Sequence, residues 1–160
     1  MFENYALGGV NTVRGYPYRS ISPVERAGPL FPFDPRPDVR VGGNKQFYAS
    51  LELEFPIIKA LKISGVLFAD FGNVYSSEDN FFYIGGRSKN AARIHPSDPL
   101  RLYEYLGIYS SLGFGVRWLS PLGYLRFEWG IPLNRRPAQT PGLSEKDPPI
   151  LFEFNYGPSF

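Results

Sequence analysis

Carboxylate and guanidinium side chains are the groups in this 160-residue sequence that could support chemistry. Glu128 and Glu153 stand on neighbouring predicted strands, and two carboxylates across a cavity could serve a glycosidase. Carboxylates near arginines, here Arg117 and Arg126, more often form charge networks. His95 is the only histidine and lies in a predicted loop, so a catalytic triad or a histidine metal site has little support. We therefore predict that the chain is not an enzyme and has no catalytic residues, no metal and no cofactor.

The composition favours a chain of many strands. Aromatic residues make up 17%, with 17 Gly and 16 Pro, which suits strands joined by punctuated loops. The 17 basic residues are nearly matched by 15 acidic ones, and their scatter predicts no nucleic-acid partner. The absence of Cys excludes a disulfide scaffold and a thiolate metal site. If the protein is exported, we expect Met1 to be an internal start, because no signal peptide follows it.

Alternation of apolar and polar residues predicts five strands. One face of each is apolar and aromatic, and the other carries charges, hydroxyls and glycines. Each has the length of roughly 9–11 residues that a tilted strand needs to cross a bilayer. Pro56 is expected to end the first strand. The five segments are 46–55, 62–71, 108–118, 124–132 and 150–160.

The connections between these strands differ strongly in length. Those after Phe55 and Trp118 are short, whereas 72–106 and 133–149 are long, polar and rich in Gly and Pro. Short turns at one end and long loops at the other are typical of outer-membrane barrels, with the short side periplasmic. This favours a transmembrane β-barrel over a water-soluble β-sandwich, which the alternation alone leaves open.

Three segments stand in the order and spacing of one known family. Residues 7–16 carry the pattern Gly-Gly…Val-Arg-Gly-aromatic. The second segment is 49–52 followed by 67–75, and the third is 115–127 followed by a strand that ends on Phe160. Together they resemble the BamA family of outer-membrane assembly factors, in which the first pattern is the signature of a loop that folds from the outer surface into the barrel lumen. The resemblance covers nearly the whole chain.

The resemblance implies an all-β fold, an antiparallel transmembrane barrel of sixteen strands of which this chain holds the last five. Residues 1–45 would be the lumen loop, and 46–160 the five strands with two long extracellular loops. The implied function is folding and insertion of β-barrel proteins into the Gram-negative outer membrane. The implied partners are client outer-membrane proteins, assembly-complex lipoproteins and the lipid bilayer, without nucleic acid.

Two alternative functions remain open. A two-partner secretion transporter, or a translocation and assembly module, belongs to the same superfamily and also fits the loop motif. A soluble all-β binding module is the alternative from another class. Sequence upstream of Met1 would distinguish the superfamily branches through the number of periplasmic domains. A purified chain that stays monomeric in water without detergent would favour the soluble binding module.

The predicted site centres on the loop motif Val13, Arg14, Gly15 and Tyr16. An arginine carried into a barrel needs carboxylate partners, because it cannot lose its charge. By face parity Glu52 and Asp70 point into the lumen, and they match the family's two acidic positions. A turn centred near Leu61 would place them opposite each other. A turn centred near Lys59 would offset them by about four residues, or about 13 Å.

The last predicted strand resembles the β-signal by which outer-membrane proteins are recognised for insertion. Pro158 departs from that pattern. Five strands leave two unpaired edges, so the isolated chain is expected to self-associate as a dimer or a larger even oligomer. Glycines on the lumen face could make space for the inserted loop or relieve crowding. The β-signal residues are Phe152, Phe154, Tyr156 and Phe160, and the glycines are Gly113, Gly115, Gly130 and Gly157.

Overall fold

The structure, a computed structural model, is a β-sheet with a loop packed on one of its faces. It describes residues 4–26, 38–40, 42–76, 108–135 and 147–157. No helix within these ranges is long and apolar enough to cross a membrane. The prediction of an all-β, antiparallel chain is confirmed. The strands of the described ranges are β1 (Val24–Arg26), β2 (Asp38–Arg40), β3 (Lys45–Ile58), β4 (Ile63–Tyr75), β5 (Tyr109–Ser120), β6 (Gly123–Pro132) and β7 (Leu151–Gly157).

Strands β3 to β7 form an antiparallel sheet in sequence order, with β3 and β7 at its edges. A single 3-10 turn, Lys59–Leu61, joins β3 to β4. The turn closes through a hydrogen bond from the Lys62 amide to the Lys59 carbonyl, with Lys62 in the left-handed region at φ 55°. A two-residue turn, Pro121 and Leu122, joins β5 to β6. These tight connections fix the register of both pairs.

The first sheet strand continues past Pro56, so the prediction that this proline ends it is wrong. Pro56 pairs with Ser64, and the register shifts between Pro56 and Ile58. A proline beside a bulge of an edge strand disturbs little of the ladder, because the local pattern of hydrogen bonds is already interrupted. The predicted long loops fall mostly on residues 77–107 and 136–146, which lie outside the described residues, as does His95.

The two faces of the sheet divide as the alternation predicts. The outward side chains Leu51 and Phe154 are 70% and 54% exposed, whereas Val66 and Asp70 on the other face are 1% and 0% exposed. Aromatic rings pack against one another across the strands on the outward face of β5 to β7. Its centroid distances are 5.5 Å for Phe114–Trp129, 5.1 Å for Trp129–Phe152 and 5.3 Å for Phe127–Phe154.

The start of β5 departs from this division. Ile108 and Ser110, predicted on the apolar outward face, are buried. Asn134, just after β6, explains Ser110: its Oδ1 accepts hydrogen bonds from the Ser110 amide at 3.1 Å and hydroxyl at 2.8 Å. The segment after β6 therefore covers the start of β5 on the face that was predicted to point outward.

The loop before β3 lies against the inner face of the sheet. Two isolated bridges, Tyr5 with Gly43 and Leu7 with Ile21, close it at its base and across its tip. In sequence, between Ile21 and Gly43, the chain makes a short antiparallel ribbon, β1 with β2. An apolar cluster binds the tip to the sheet. It contains Leu7, Val13, Tyr16 and Ile21 from the loop, with Val74 and Tyr109 from β4 and β5.

Candidate functional site

The tip of the loop is a compact turn that presents Arg14 to the sheet. The Gly9 amide donates to the Tyr16 carbonyl at 2.9 Å, and the Thr12 amide donates to the Gly9 carbonyl at 3.0 Å. The Thr12 hydroxyl accepts from the Gly8 amide at 2.8 Å. These bonds satisfy the backbone locally, so the residues between them can project inward. Arg14 is consequently 2% exposed.

Asp70 on β4 is the main partner of Arg14. The guanidinium binds the carboxylate in a bidentate fork, with Nε to Oδ2 and Nη2 to Oδ1 both at 2.7 Å. The Arg14 amide donates to the same Oδ2 at 3.1 Å, and the Ser50 hydroxyl donates to Oδ1 at 2.6 Å. Both carboxylate oxygens are thus saturated although Asp70 is fully buried. A charge-assisted fork of this kind fixes orientation as well as adding energy.

The remaining face of the guanidinium meets three further groups. Nη1 lies 2.6 Å from Oε1 of Glu52 and 3.2 Å from Oε2 of Glu128. The guanidinium carbon stands 3.5 Å from the ring centroid of Phe68, a cation–π contact. Burial disfavours the charged form, but the hydrogen bond to Asp70 and the charges of Asp70 and Glu128 outweigh it and raise the pKa of Arg14. Arg14 therefore stays charged inside the protein.

The register of β3 and β4 explains why one arginine reaches both predicted acids. Ser50 pairs with Asp70, and Glu52 pairs with Phe68, so the two acids are offset by two residues. This offset lies between the two that the sequence left open, which were zero for a turn centred near Leu61 and about four residues for a turn centred near Lys59. A two-residue step keeps both side chains on one face of the sheet, at a spacing of about 7 Å. The structure thus places Glu52 and Asp70 on either side of one guanidinium.

Glu128 on β6 gathers three arginines. Arg117 donates from Nη2 at 2.8 Å, and Arg126 donates from Nη2 at 2.9 Å, in addition to the contact with Arg14. Arg117 and Arg126 face each other across β5 and β6, so their like charges need a shared anion. Glu128 is fully buried and supplies it. Its partner in the predicted carboxylate pair, Glu153, lies directly opposite on β7.

Arg117 extends the network towards the short turns. Its Nη1 lies 2.9 Å from Oε2 of Glu52 and 3.3 Å from Oε2 of Glu54. Glu52 therefore bridges Arg14 and Arg117. The result is a chain of alternating charges across β3, β4, β5 and β6, in which Arg14 of the loop binds side chains of the inner face.

Gly15 and Tyr16 fix the loop against β5 and β6. A Cβ on Gly130 would lie 2.3 Å from the Gly15 amide nitrogen, and Gly15 itself has φ +88°, so each position needs glycine. The Tyr16 hydroxyl lies 3.0 Å from the Ser110 carbonyl oxygen and accepts from the Asn134 amide at 3.2 Å. The Tyr16 ring packs edge-on against Tyr109 at 5.5 Å.

The other predicted residues take different positions. Of the lumen-face glycines, Gly130 contacts the loop. Gly113 contacts the Phe68 ring and Gly115 contacts β6, while Gly157 has nothing within 4 Å of an added Cβ. Val13 is buried in the apolar cluster. The β-signal residues Phe152, Phe154 and Tyr156 are 51%, 54% and 57% exposed on the outward face. Phe160 and Pro158 lie outside the described residues.

Sequence reasoning missed three contacts that complete the site. Ser50 contacts Arg14 directly, and Asn134 binds Tyr16. Glu128 lies in the charge network with Arg117 and Arg126 that the sequence favoured, but its contact with Arg14 was missed. Face parity places Glu128 and Ser50 on the inner side of their strands, so the signal was present, but nothing in the sequence sets their depth relative to the loop. Within the described residues, no group of three acidic, histidine or cysteine side chains is arranged to hold a metal ion.

Comparison with known proteins gives a match along the entire chain. The Omp85 superfamily domain matches residues 1–160. The outer membrane protein assembly factor BamA of Neisseria meningitidis serogroup B is 32% identical over 169 residues, which cover 99% of this chain and 19% of that protein. The BamA of Nitratidesulfovibrio vulgaris is 29% identical over 160 residues, 100% of this chain and 16% of that protein. The chain thus spans less than a fifth of the length of these relatives. The predicted similarity to the BamA family is confirmed.

Proposed function

The chain belongs to the Omp85 superfamily of outer-membrane β-barrel proteins, and from that premise we propose that it is the C-terminal part of a barrel that folds and inserts other β-barrel proteins. The contact network around Arg14 carries the proposal. It supports a division of the segment into a part held rigid by the loop, β3 to β6, and an edge strand, β7, where another strand can pair.

The loop motif joins four strands that are otherwise linked only through their ladders. Arg14 binds Glu52 on β3, Asp70 on β4 and Glu128 on β6. Tyr16 adds β5 through the Ser110 carbonyl. Because Arg14, Asp70 and Glu128 are buried, the links to β4 and β6 resist separation far more than an exposed ion pair would, whereas Glu52, the link to β3, is 33% exposed. We therefore assign the loop the role of a latch that fixes the curvature and register of β3 to β6.

The last strand differs from this rigid part. Arg14 and Tyr16 bind groups on β3 to β6, whereas β7 is an edge of the described sheet. Its unpaired side presents backbone donors and acceptors, on which an incoming strand can form hydrogen bonds. A client strand captured there would be extended by the same antiparallel geometry that joins β6 to β7. This task needs no covalent chemistry and no nucleotide.

The proposed partners follow from this mechanism. Unfolded clients that end in an aromatic strand would bind the edge, and lipoproteins of the assembly complex would act on the periplasmic side. The lipid bilayer surrounds the outward face, where Leu51, Leu53 and Phe154 are more than half exposed. Both relatives in the comparison carry the name of an outer-membrane protein assembly factor.

Client insertion by the full-length protein in liposomes tests this function. Arg14→Ala should leave Asp70 and Glu128 short of a buried partner, at a cost of about 3–5 kcal/mol, and should strongly reduce the insertion rate of a client barrel. Arg19→Ala is the matched control, since Arg19 is a solvent-exposed arginine of the same loop. Normal insertion by Arg14→Ala would refute the latch. A two-partner transporter would be indicated instead if Arg14→Ala left client insertion unchanged and abolished secretion of one dedicated substrate by the protein.

A further inference from the structure

The two short turns of the sheet form an exposed apolar rim. In the 3-10 turn and the end of β3, Ile57, Ile58 and Leu61 are 53%, 43% and 55% exposed. In the turn between β5 and β6, Leu122 is 84% exposed. Leucine and isoleucine at the tip of a turn would be unfavourable in water, because each exposed side chain forgoes roughly 1.5–3 kcal/mol of burial. Their position indicates that this end of the barrel touches lipid.

Two lysines emerge from the same turn. Lys59 and Lys62 are both exposed, and the turn closes between them through the Lys62 amide and the Lys59 carbonyl at 3.2 Å. The first turn of this 3-10 segment contains no acidic residue. The acid nearest in sequence, Glu54, is engaged by the Ser64 hydroxyl and by Arg117 on the inner face. A pair of cations thus stands among apolar side chains without a matching anion in the turn.

Hydrogen bonds join each of the two turns to a neighbouring strand at this end of the sheet. The Leu119 amide donates to the Lys62 carbonyl at 3.1 Å, and the Tyr156 hydroxyl donates to the Leu122 carbonyl. Trp118 pairs with Ile63 just above the lysines and is 37% exposed on the outward face. Tryptophan, tyrosine and lysine at one level are the side chains that settle at the boundary between acyl chains and headgroups.

We propose that this rim, defined by Lys59, Leu61, Lys62, Trp118 and Leu122, binds an anionic phospholipid of the periplasmic leaflet. The ammonium groups of the two lysines bind the phosphate and the anionic headgroup, and the acyl chains lie along Leu61 and Trp118. Charge complementarity selects the occupant, because two cations among exposed apolar side chains match an anionic lipid and not a zwitterionic one. The inference rests on the outer-membrane position of the barrel with its short turns at the periplasmic side. It is independent of the assembly activity.

Fluorescence quenching by brominated lipid tests the site. The full-length protein is reconstituted in phosphatidylcholine vesicles that contain a fixed fraction of either phosphatidylglycerol or phosphatidylcholine brominated on one acyl chain. The difference between the native protein and Trp118→Phe isolates the quenching of Trp118. We expect brominated phosphatidylglycerol to be preferred over brominated phosphatidylcholine by about fivefold for each lysine, the ratio that corresponds to about 1 kcal/mol.

The double variant Lys59→Gln/Lys62→Gln should lose this preference while it keeps the mobility of the folded protein on unheated gels. Lys45→Gln, at the opposite end of β3, should keep the preference. Equal quenching by the two brominated lipids in the native protein overturns the proposal, as does a preference that survives in the double variant. Lost client insertion with unaltered lipid preference also overturns it, and identifies the rim as a protein contact. Because lipid preference and client insertion are separate measurements, failure of one leaves the other standing.

Discussion

Asp70→Asn is expected to be the most damaging isosteric change in the inner-face network, with a cost of about 3–5 kcal/mol to the folded barrel. Asp70 is fully buried and accepts from the amide, Nε and Nη2 of Arg14. An asparagine keeps the shape but offers one oxygen in place of two and carries no charge. Part of the Arg14 charge would then be buried without compensation, which is the expensive case for an ion pair.

Glu52→Gln is the matched comparison, because it removes a carboxylate from the same guanidinium by the same isosteric change. The Glu52 side chain is 33% exposed, and it also serves Arg117. Solvent screens this position, so the expected cost is about 1 kcal/mol or less. The expected order of the two costs follows from burial and from the number of hydrogen bonds with Arg14, and not from contact length, since the shorter contact belongs to Glu52, at 2.6 Å against 2.7 Å for Asp70.

The measurement is unfolding of the full-length protein in detergent by guanidinium chloride. Tryptophan fluorescence and the gel mobility of unheated samples monitor the unfolding. A third variant, Asp70→Asn with Arg14→Met, removes both charges and should be more stable than Asp70→Asn alone. The reasoning is refuted if Asp70→Asn costs less than Glu52→Gln. It is also refuted if the double variant is the least stable of the three.

Four further outcomes are expected. Gly130→Ala should displace the loop tip, because its Cβ would lie 2.3 Å from the Gly15 amide nitrogen. Gly157→Ala should have little effect, and cysteine cross-linking between the loop and the sheet would show the difference. Tyr16→Phe should cost about 1–3 kcal/mol by leaving a buried amide without its acceptor, measured by the same unfolding assay. A spin label at Phe154 should respond to oxygen dissolved in lipid and one at Glu52 to an aqueous relaxing agent; the reverse result would invert the two faces. The isolated 160-residue chain should sediment as a dimer or larger species, and a stable monomer would contradict this.

Period-two alternation was sufficient to predict the sheet and its two faces. It placed Glu52 and Asp70 on the inner face, where both are found. Parity could not determine depth, because a shift of two residues preserves the face and changes only the partner. The register depends on the turn that follows β3. This turn is a 3-10 turn with Lys62 in the left-handed region, a conformation that no sequence pattern in the chain predicts.

The partners of Arg14 on β6 could not be predicted for a related reason. Glu128 lies 114 residues from Arg14 in sequence, and its depth depends on two intervening registers as well as on the loop. Pro56 was predicted to end the first strand, yet a bulge accommodates it. Burial of Ser110 depends on Asn134 across β5 and β6. Each departure arises where a distant segment of the chain decides the local structure.

The spacing of the Arg14 contacts has a consequence for how this segment reaches its native state. The groups that hold the guanidinium lie 36, 56 and 114 residues further along the chain, at Ser50, Asp70 and Glu128. Closing a loop over such distances costs entropy that is recovered only when the contacts form. Until β6 has joined the sheet, the buried acceptor set is incomplete and water competes for the arginine. Docking of the loop is therefore expected to be a late step, so that a seated loop reports that β3 to β6 are already in register.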